Sequence, residues 1–554
     1  MDVKHANPLF ISTAVSLAAF MEILDTTIAN VALTHIAGSL GASMEESTWI
    51  LTSYLITNAI VLPLSGWLSE LMGRKSFFLF CILGFTIASF LCGIATSLPI
   101  LIIFRLLQGL AGGGLQPSQQ AIIKDSFPPE KLGMAFAITG IATVFAPILG
   151  PALGGYITDE FSWRWIFFIN IPIGVLAAIL VKKFVYDPVD SQKKKIGSID
   201  YIGLGFIAIG LGTLQLVLDN GQQYDWFANN FITVFSIISF SCIVLSIFWL
   251  LKQKNPIVNL RLFYIPSFGI SCLMTFFIGA FVNVTVMLLP MLVQNDYGYN
   301  ATLSGMILVP GGIAILFLLP VVGKLLKHIQ AKYLIAFGMF LCASSMFYAT
   351  QLSPQTDENT FILMRIFQAI GIPFLFVPVT TLAFSKISAK DSNNASAITV
   401  LMKNIGGSIG ISLVTNQLVH SQQIEQSYLV AHLSGGDWGY NNCLDMYNQI
   451  FNNLHFVSFM NQKEILQGSL AKLYQLIQLQ ASILAYIDVF KVLGYIFGGL
   501  AILSLVMPKN ILQKEKFSVK NANSYGLRRN IIGGCRSKRI FEIIMQNFIY
   551  KSNI

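Results

Sequence analysis

Apolar blocks of about 20 residues recur along the sequence from residue 9 to residue 507. At 1.5 Å per residue, an α-helix of that length spans the hydrocarbon core of a bilayer. Hydrophobic residues make up 55% of the chain and charged residues only 11%, whereas soluble proteins have about 25% charged residues. Unbroken runs such as PILIIFRLLQGLAGGGL lack the alternation of a transmembrane barrel. The sequence therefore predicts an all-α polytopic membrane protein.

Fourteen such blocks can be delimited along the chain. They lie near 9–33, 48–68, 77–96, 100–123, 133–157, 165–186, 199–218, 230–251, 267–293, 301–323, 333–350, 360–384, 396–418 and 484–507. If the N-terminus is cytoplasmic, nearly all the loop lysines and arginines are also cytoplasmic, and Arg164, Lys463 and Lys472 are the exceptions. This positive-inside pattern supports the count and predicts that both termini are cytoplasmic. The net charge of +9 is assigned to topology and anionic lipid, not to a nucleic-acid partner.

Two polar segments stand apart from the blocks. Residues 419–483 are rich in Gln and Asn and are predicted to form an outside insertion, with a helix at KEILQGSLAKLYQLIQLQ. Residues 508–554 form a basic cytoplasmic tail, which is either unstructured or a short amphipathic helix on the membrane surface. The seven cysteines are scattered, so the sequence indicates neither a disulfide framework nor a metal site.

Two blocks carry a faint internal repeat. Arg105 and Gln108 recur 260 residues later as Arg365 and Gln368, at the same place in a block and in the same orientation. Duplicated halves of parallel orientation are typical of transporters, whose substrate site lies between the halves near mid-membrane.

The stretch GWLSELMGRK ends the second block. Its notable residues are Gly66, Glu70, Gly73, Arg74 and Lys75. The first glycine allows close helix approach, and the second permits a tight turn. The basic pair holds the loop on the cytoplasmic side, and the acid can pair with a cation or a helix end. The stretch resembles the loop signature of the major facilitator superfamily, with Glu for the usual Asp and Leu for the Arg that follows it. The alternative is a topological anchor only.

The stretch APILGPALGGYI lies in the fifth block. Inside a bundle, its glycines and prolines provide a kink and a smooth packing face. It resembles the G-P-x-x-G-G antiporter motif of the same superfamily, matched at Gly150, Pro151, Gly154 and Gly155. The alternative is ordinary small-residue helix packing.

Further motifs narrow the resemblance. LIIFRLLQGLAGGG resembles the superfamily's R-x-x-Q-G motif, and LDTTIANVAL resembles the first-span signature of the fourteen-span drug:proton antiporters, the EmrB/QacA family. Thr34 stands where that signature has proline. WRWIFFINIPIG, LDNGQQYDW, GYNATLSGMILVPGG, NIGGSIG and QASILAYIDVF also match, so the resemblance covers roughly residues 10–415 and 475–507.

The resemblance implies the major facilitator fold, with two six-helix bundles plus two extra central transmembrane helices. The implied divisions are a first bundle at 1–186, the two extra helices and linkers at 187–266, a second bundle at 267–507 with the insertion 419–483, and the tail 508–554.

The implied function is proton-coupled export of hydrophobic or amphipathic, often cationic, drugs by alternating access in the bacterial inner membrane. The proton gradient supplies the energy and no cofactor is expected. Gram-negative members imply a periplasmic membrane-fusion adaptor and an outer-membrane channel. Segment 419–483 either contacts such an adaptor or is a tolerated loop.

Other functions stay open. The same fold can export an endogenous metabolite, a siderophore or a lipid, or serve as a non-transporting receptor or scaffold. The sequence has no Walker A, HExxH or GxSxG motif, so neither ATP hydrolysis nor another enzymatic activity is expected.

The first block carries two carboxylates, Glu22 and Asp25, three residues apart on one helix face. A carboxylate in low dielectric favours its neutral form, so it can load a proton on one side of the membrane and release it on the other. Asp25 is the first choice for coupling because the resemblance places an Asp there, and Asp25→Asn is expected to abolish proton-driven efflux with normal expression. Its alternative is a structural hydrogen bond between helices. Glu22 is a second proton site, a cation-binding residue or an acid in an aqueous vestibule.

A third charge, Arg105, lies inside the fourth block, where the family motif links it to proton transfer. Such a charge is costly, so it faces a cavity or a partner, or it snorkels to the outer surface. Polar residues predicted to line the substrate path are Asn30, Gln108, Gln116, Gln119, Gln120, Asn283, Arg365, Gln368 and Asn404. Neither catalytic residues nor a metal site are predicted.

Overall fold

A computed structural model describes residues 8–128, 131–186, 200–253, 256–388, 391–432, 441–442, 444–446, 449 and 462–505. Within them, fourteen helices are long and apolar enough to cross a membrane, which confirms the predicted number. They are α1 (Pro8–Val31), α2 (Met44–Met72), α3 (Arg74–Gly93), α4 (Leu98–Ser126), α5 (Leu132–Glu160), α6 (Trp165–Phe184), α7 (Tyr201–Asn220), α8 (Asn230–Lys252), α9 (Pro266–Asn295), α10 (Ala301–Leu325), α11 (Ala331–Tyr348), α12 (Glu358–Phe384), α13 (Ser392–Ala431) and α14 (Gln462–Ser504).

Local sequence explains several helix boundaries. Ser43 and Glu46 form a capping box at the start of α2, with the Glu46 N–H donating to Ser43 Oγ at 3.1 Å. Gly73 separates α2 from α3 with a φ of +87°, a value that favours glycine. In α5, a π-helical segment over Ile141–Phe145 precedes Pro147 and Pro151, and such bulges accompany helix bending.

The last two spans are longer than the sequence predicted. Helix α13 ends at Ala431 rather than near 418, and α14 starts at Gln462 rather than near 484. Their polar extensions are rich in good helix formers and remain helical outside the apolar region. They also pack on each other, and Gln426 Nε2 donates to the Tyr474 hydroxyl at 3.1 Å. The predicted insertion at 419–483 is thus largely helical where it is described. Most of its middle, including Cys443, and the predicted tail 508–554 lie outside the described residues.

The helices form two bundles of six, α1–α6 and α9–α14, with two extra helices between them in sequence, as the predicted fold requires. The second bundle buries its own core around Phe281, Phe361 and Phe490. Another core cluster, around Phe78 and Phe136, lies mostly in the first bundle and extends to Phe268 and Phe384 of the second. Helix α7 packs on α2 and touches α13, whereas α8 packs on α7 and is the least buried span.

The bundles meet mainly along two helix pairs, α5 with α10 and α2 with α13, and also where α4 contacts α13 and α5 contacts α12. At the end of the bundle near the Gly73 turn, Ser392 Oγ donates to Asp125 Oδ1 at 3.3 Å. At the opposite end, Thr302 Oγ1 donates to Asp159 Oδ2 at 2.6 Å. We call these the Gly73 end and the Asp159 end. The two bundles therefore touch at both ends of the space between them.

Candidate functional site

A cavity of about 190 Å³ lies between the two bundles. Its walls come from α1, α2, α4 and α5 on one side, from α9, α12 and α13 on the other, and from α7. Apolar side chains such as Ile278, Val282 and Phe376 form much of the lining. Polar side chains also line the cavity, and two of them donate hydrogen bonds to the same carboxylate.

Glu22 is the carboxylate that lines this cavity, and its side chain is only 3% exposed. Its Oε1 accepts hydrogen bonds from Asn58 Nδ2 on α2 and Gln116 Nε2 on α4, both at 3.2 Å. Its Oε2 is buried and has no hydrogen-bond partner among the described residues. A buried carboxylate oxygen without a donor is costly. Glu22 is therefore a buried acid on the cavity wall, with one oxygen that still has room for a hydrogen-bond donor.

Lys403, on α13 in the second bundle, lies across the cavity from Glu22. Its Nζ donates to Gln116 Oε1 at 2.5 Å, and Gln116 in turn donates to Glu22. The amide of Gln116 thus links a cation of one bundle to an acid of the other. Sequence reasoning missed Lys403, although a lysine inside the predicted span 396–418 carries the same cost that singled out Arg105.

Asp25 points away from the cavity, into the first bundle. Its Oδ2 pairs with Arg105 Nη1 at 2.6 Å, and its Oδ1 accepts from Gln108 Nε2 at 3.0 Å and from Asn170 Nδ2 at 2.6 Å. Arg105 also donates from Nε to the Ile50 carbonyl at 3.1 Å. Asp25 is 2% exposed and Arg105 fully buried, so the arginine does not snorkel. This arrangement joins α1 to α4 and α6.

Tyr54 on α2 connects the two acidic sites. The guanidinium carbon of Arg105 lies 4.5 Å from the centre of the Tyr54 ring, a cation–π contact. The Tyr54 hydroxyl accepts from Asn58 Nδ2 at 3.3 Å, and Asn58 also donates to Glu22. One aromatic side chain and one amide therefore lie between Glu22 and the Asp25–Arg105 pair.

The predicted path residues fall into distinct places. Gln116, Asn283 and Asn404 line the cavity, and Gln120 borders a small neighbouring void that Lys403 also borders. Asn30 is exposed at the end of α1. The rest are buried in helix contacts away from the cavity, namely Gln108, Gln119, Arg365 and Gln368. The remaining polar lining that sequence reasoning missed includes Thr26, Thr27, Asn58, Gln215 and Ser408.

The GWLSELMGRK motif, at the junction of α2 and α3, makes several contacts at the Gly73 end. Arg74 forms an ion pair with Asp125 at the end of α4, and Lys75 Nζ donates to the Lys182 carbonyl at 2.7 Å. A Cβ on Gly66 would lie 3.4 Å from the backbone of Asn393 in the second bundle. The first glycine of the motif therefore lies where the two bundles are in van der Waals contact.

The glycines of α5 bring three helices together. A Cβ on Gly150 would lie 2.0 Å from Thr27 Oγ1, and one on Gly154 would lie 3.3 Å from Ile28 Cα, so α1 packs closely here. On the other face of α5, Pro151 and Ala152 contact Gly305 of α10. Gly155 is buried, and its carbonyl accepts from Thr158. The motif thus forms the contact between α5 and both neighbours.

The extra helix α7 reaches the same cavity. Gln215 lines it and exchanges hydrogen bonds with Ser408 of α13, with Nε2 to Oγ at 3.1 Å. Asp219, one turn further along α7, accepts from Gln215 Nε2 at 2.7 Å. Helix α7 is therefore part of the cavity wall. Over the described residues, the side chains contain no cluster of three His, Cys, Asp or Glu that could hold a metal ion.

Residues 15–411 match the family "Major Facilitator Superfamily". The chain is 35% identical over 429 residues to "Multidrug export protein EmrB" of Haemophilus influenzae, covering 77% of this chain and 83% of the relative. It is 35% identical over 433 residues to "Fatty acid resistance protein FarB" of Neisseria gonorrhoeae, covering 78% and 85%.

Solved structures agree on the fold. The proton:xylose symporter XylE superposes with a TM-score of 0.57 at 14% identity, over 91% of this chain and 96% of that one. A bacterial homologue of the human drug peptide transporters superposes with a TM-score of 0.55 at 14% identity, over 92% and 99%. At these identities the likeness concerns the fold alone. The chain belongs to the Major Facilitator Superfamily and, within it, to the EmrB-type family of multi-pass membrane transporters, which are not enzymes.

Proposed function

We propose that this protein exports hydrophobic or amphipathic small molecules in exchange for protons, by alternating access of the cavity between its two bundles. The observation that carries the proposal is the position of Glu22. It is a buried acid on the wall of that cavity, with one oxygen that lacks a partner among the described residues. Burying an ionisable group inside a membrane is costly, which favours a functional role.

The coupling follows from competition at Glu22. When the cavity opens to the proton-rich side, the Oε2 atom takes a proton and Glu22 becomes neutral. When the cavity opens to the other side, the proton leaves and the carboxylate is free to attract a cationic or hydrogen-bonding substrate. Each proton that crosses inward contributes about 2.3 kcal/mol per 100 mV of membrane potential, in addition to the pH gradient.

Asp25 and Arg105 have a supporting part in this proposal. The sequence favoured Asp25 as the coupling acid, but its oxygens accept three hydrogen bonds inside the first bundle. These bonds join α1 to α4 and α6. The pair therefore positions α1, and Glu22 on the same helix exchanges the proton.

A second candidate function is export of amphipathic acids, such as fatty acids. It is favoured by Lys403, a cation on the cavity wall, and by the similarity to a fatty acid resistance protein. Lys403 would bind a carboxylate group, whereas Glu22 would bind a cationic one. A cavity with both charges suits substrates of either sign, provided that their bodies are apolar.

The cellular setting belongs to the same proposal. Loops rich in lysine and arginine favour cytoplasmic termini in a bacterial inner membrane. The helical extensions of α13 and α14, which project beyond their apolar windows, offer a surface for a periplasmic adaptor that passes substrate to an outer-membrane channel.

The test is transport by purified protein in proteoliposomes with an imposed pH gradient. A panel of lipophilic cations and long-chain acids is assayed with and without a protonophore. We expect transport that stops when the protonophore is added and that Glu22→Gln abolishes for cations. Lys403→Gln is expected to lower transport of acids more than transport of cations. Absence of transport for the whole panel would favour a receptor or scaffold, and transport insensitive to protonophore would refute proton coupling.

A further inference from the structure

The internal repeat extends to a third position that the sequence motif does not include. Asp25 accepts from Arg105 and Gln108, and Arg365 donates to both Thr285 and Gln368. Each of the three positions in the second bundle is 260 residues after its counterpart in the first. The two bundles therefore contain the same constellation of helix positions, with arginine and glutamine retained and the carboxylate replaced by threonine.

Among the described residues, the replacement leaves Arg365 without an acidic partner. Arg365 is fully buried, and its hydrogen bonds from Nη1 to Thr285 Oγ1 and to Gln368 Oε1 are both long, at 3.4 Å. Its Nε and Nη2 atoms have no hydrogen-bond partner among the described residues, and the same is true of Gln368 Nε2. The backbone and side chain of Arg365 also lie against Gly311, so α10 covers this cluster.

The chemistry of the unpartnered atoms identifies what fits there. All three are N–H donors next to a positive charge, and the nearby acceptor oxygens are already engaged by Arg365 Nη1. Water would bring hydrogens of its own and would need acceptors, whereas an anion accepts without donating. In the first bundle, the carboxylate of Asp25 accepts from Arg105 Nη1 and from Gln108 Nε2, and the second of these is the counterpart of the unpartnered Gln368 Nε2.

We propose that Arg365, Gln368 and Thr285 form a binding site for a small monovalent anion of the size of chloride, which replaces the carboxylate that the first bundle supplies from its own chain. A small ion suits the site because the cluster is enclosed by α9, α10 and α12. The site is distinct from the central cavity. Val282 lines that cavity, and Thr285 lies one turn further along α9 towards the Asp159 end.

The test measures thermal unfolding of the purified full-length protein in detergent, with chloride replaced stepwise by gluconate at constant ionic strength. A ligand that binds only the folded state raises the melting temperature progressively as its concentration exceeds the dissociation constant. We expect a rise of a few degrees with chloride in the wild-type protein and in Thr285→Asn. Thr285→Asp supplies the carboxylate in place and should remove the chloride response, because Asn and Asp differ chiefly in charge.

Two further measurements decide the question if Thr285→Asp does not fold. Arg365→Gln removes the positive charge and should also remove the chloride response. Crystals grown in bromide should show an anomalous peak within hydrogen-bond distance of Arg365 and Gln368. A chloride response that survives in both Thr285→Asp and Arg365→Gln, a wild-type protein that does not respond to chloride, or a site that holds only water would overturn the proposal.

Discussion

Glu22 and Asp25 are three residues apart, but their side chains have different surroundings. Neutralising the charge of one acid should therefore have a different consequence from neutralising the charge of the other. Glutamine at position 22 can keep both hydrogen bonds, because its carbonyl oxygen accepts from Asn58 and Gln116 as the carboxylate does. Glu22→Gln should therefore leave the protein folded, abolish substrate-driven proton movement and make substrate binding independent of pH. Proton flux and binding in proteoliposomes measure this outcome, with Glu22→Asp as the control that retains an acid. Normal proton flux in Glu22→Gln would exclude Glu22 as the exchanging group.

Asp25 gives the contrasting prediction, which concerns stability. Removing one partner of a buried ion pair leaves the other charge unpaired and costs about 3–5 kcal/mol. Asp25→Asn leaves the buried charge of Arg105 unpaired, so the variant should unfold at a lower temperature in detergent. Adding a second substitution, Arg105→Gln, removes that charge and should recover part of the lost stability. If Asp25→Asn is instead as stable as the wild-type protein but inactive, then Asp25 itself is the proton-exchanging acid that the sequence first indicated.

Sequence could identify these charged residues, but it could not say which one lines the cavity. Two acids three positions apart on a helix are predicted to share a face. In the folded protein, one turn of separation is enough to place Glu22 on the cavity and Asp25 against α4 and α6. The deciding partners, Asn170 and Lys403, come from helices remote in sequence. Sequence also misplaced a polar residue: Asn30, near the end of its span, was predicted to line the substrate path, and it is exposed at the end of α1.

At the scale of helices, the close approach of α5 and α10 holds the two bundles together near the Asp159 end. A Cβ on Gly305 would lie 2.5 Å from Ala152 Cα and 2.8 Å from the Pro151 carbonyl carbon, which are backbone atoms that cannot turn aside. Gly305→Ala should therefore push α10 away from α5, at a cost of about 1–3 kcal/mol for overpacking. Thermal unfolding and transport rate are the measurements.

The matched control for that helix contact is Gly499→Ala in α14. A Cβ on Gly499 meets nothing within 4 Å. Alanine there should be neutral or favourable, because it is the better helix former by about 1 kcal/mol. If both substitutions have the same effect, the α5–α10 contact does not depend on the absence of a side chain at position 305.

The number of membrane-spanning helices was the part of the fold that sequence predicted best, because a run of 20 apolar residues indicates both a helix and its approximate length. Helix ends were predicted less well wherever polar residues continue the helix. Helix α14 has 43 residues, about 65 Å of helix against a hydrocarbon core of about 30 Å, so hydropathy detects only half of it. The contact between the polar extensions of α13 and α14 is a tertiary feature with no signal in local composition.

At the scale of the whole molecule, the two bundles touch at both ends of the cavity, and alternating access requires each of these contacts to open in turn. The Asp159 end is closed by Thr302 and Asp159, and the Gly73 end by Ser392 and Asp125. Replacing both members of either pair with cysteine and joining them with a short thiol-reactive cross-linker should therefore stop transport, whichever end is joined. Transport before and after cross-linking, in the same proteoliposomes, measures the effect.

The control for this experiment joins two cysteines within one bundle, at His35 and Asp159, whose side chains lie 3.5 Å apart. Both positions belong to the first bundle, so the link constrains no movement between bundles and transport should survive cross-linking. Variants with a single cysteine at each position separate the effect of the substitution from that of the link. A cross-link at the Asp159 end that leaves turnover unchanged would mean that substrate leaves by a route that does not require this contact to open. The two-bundle mechanism would then give way to one in which a lateral opening, for instance beside α7, releases the cargo.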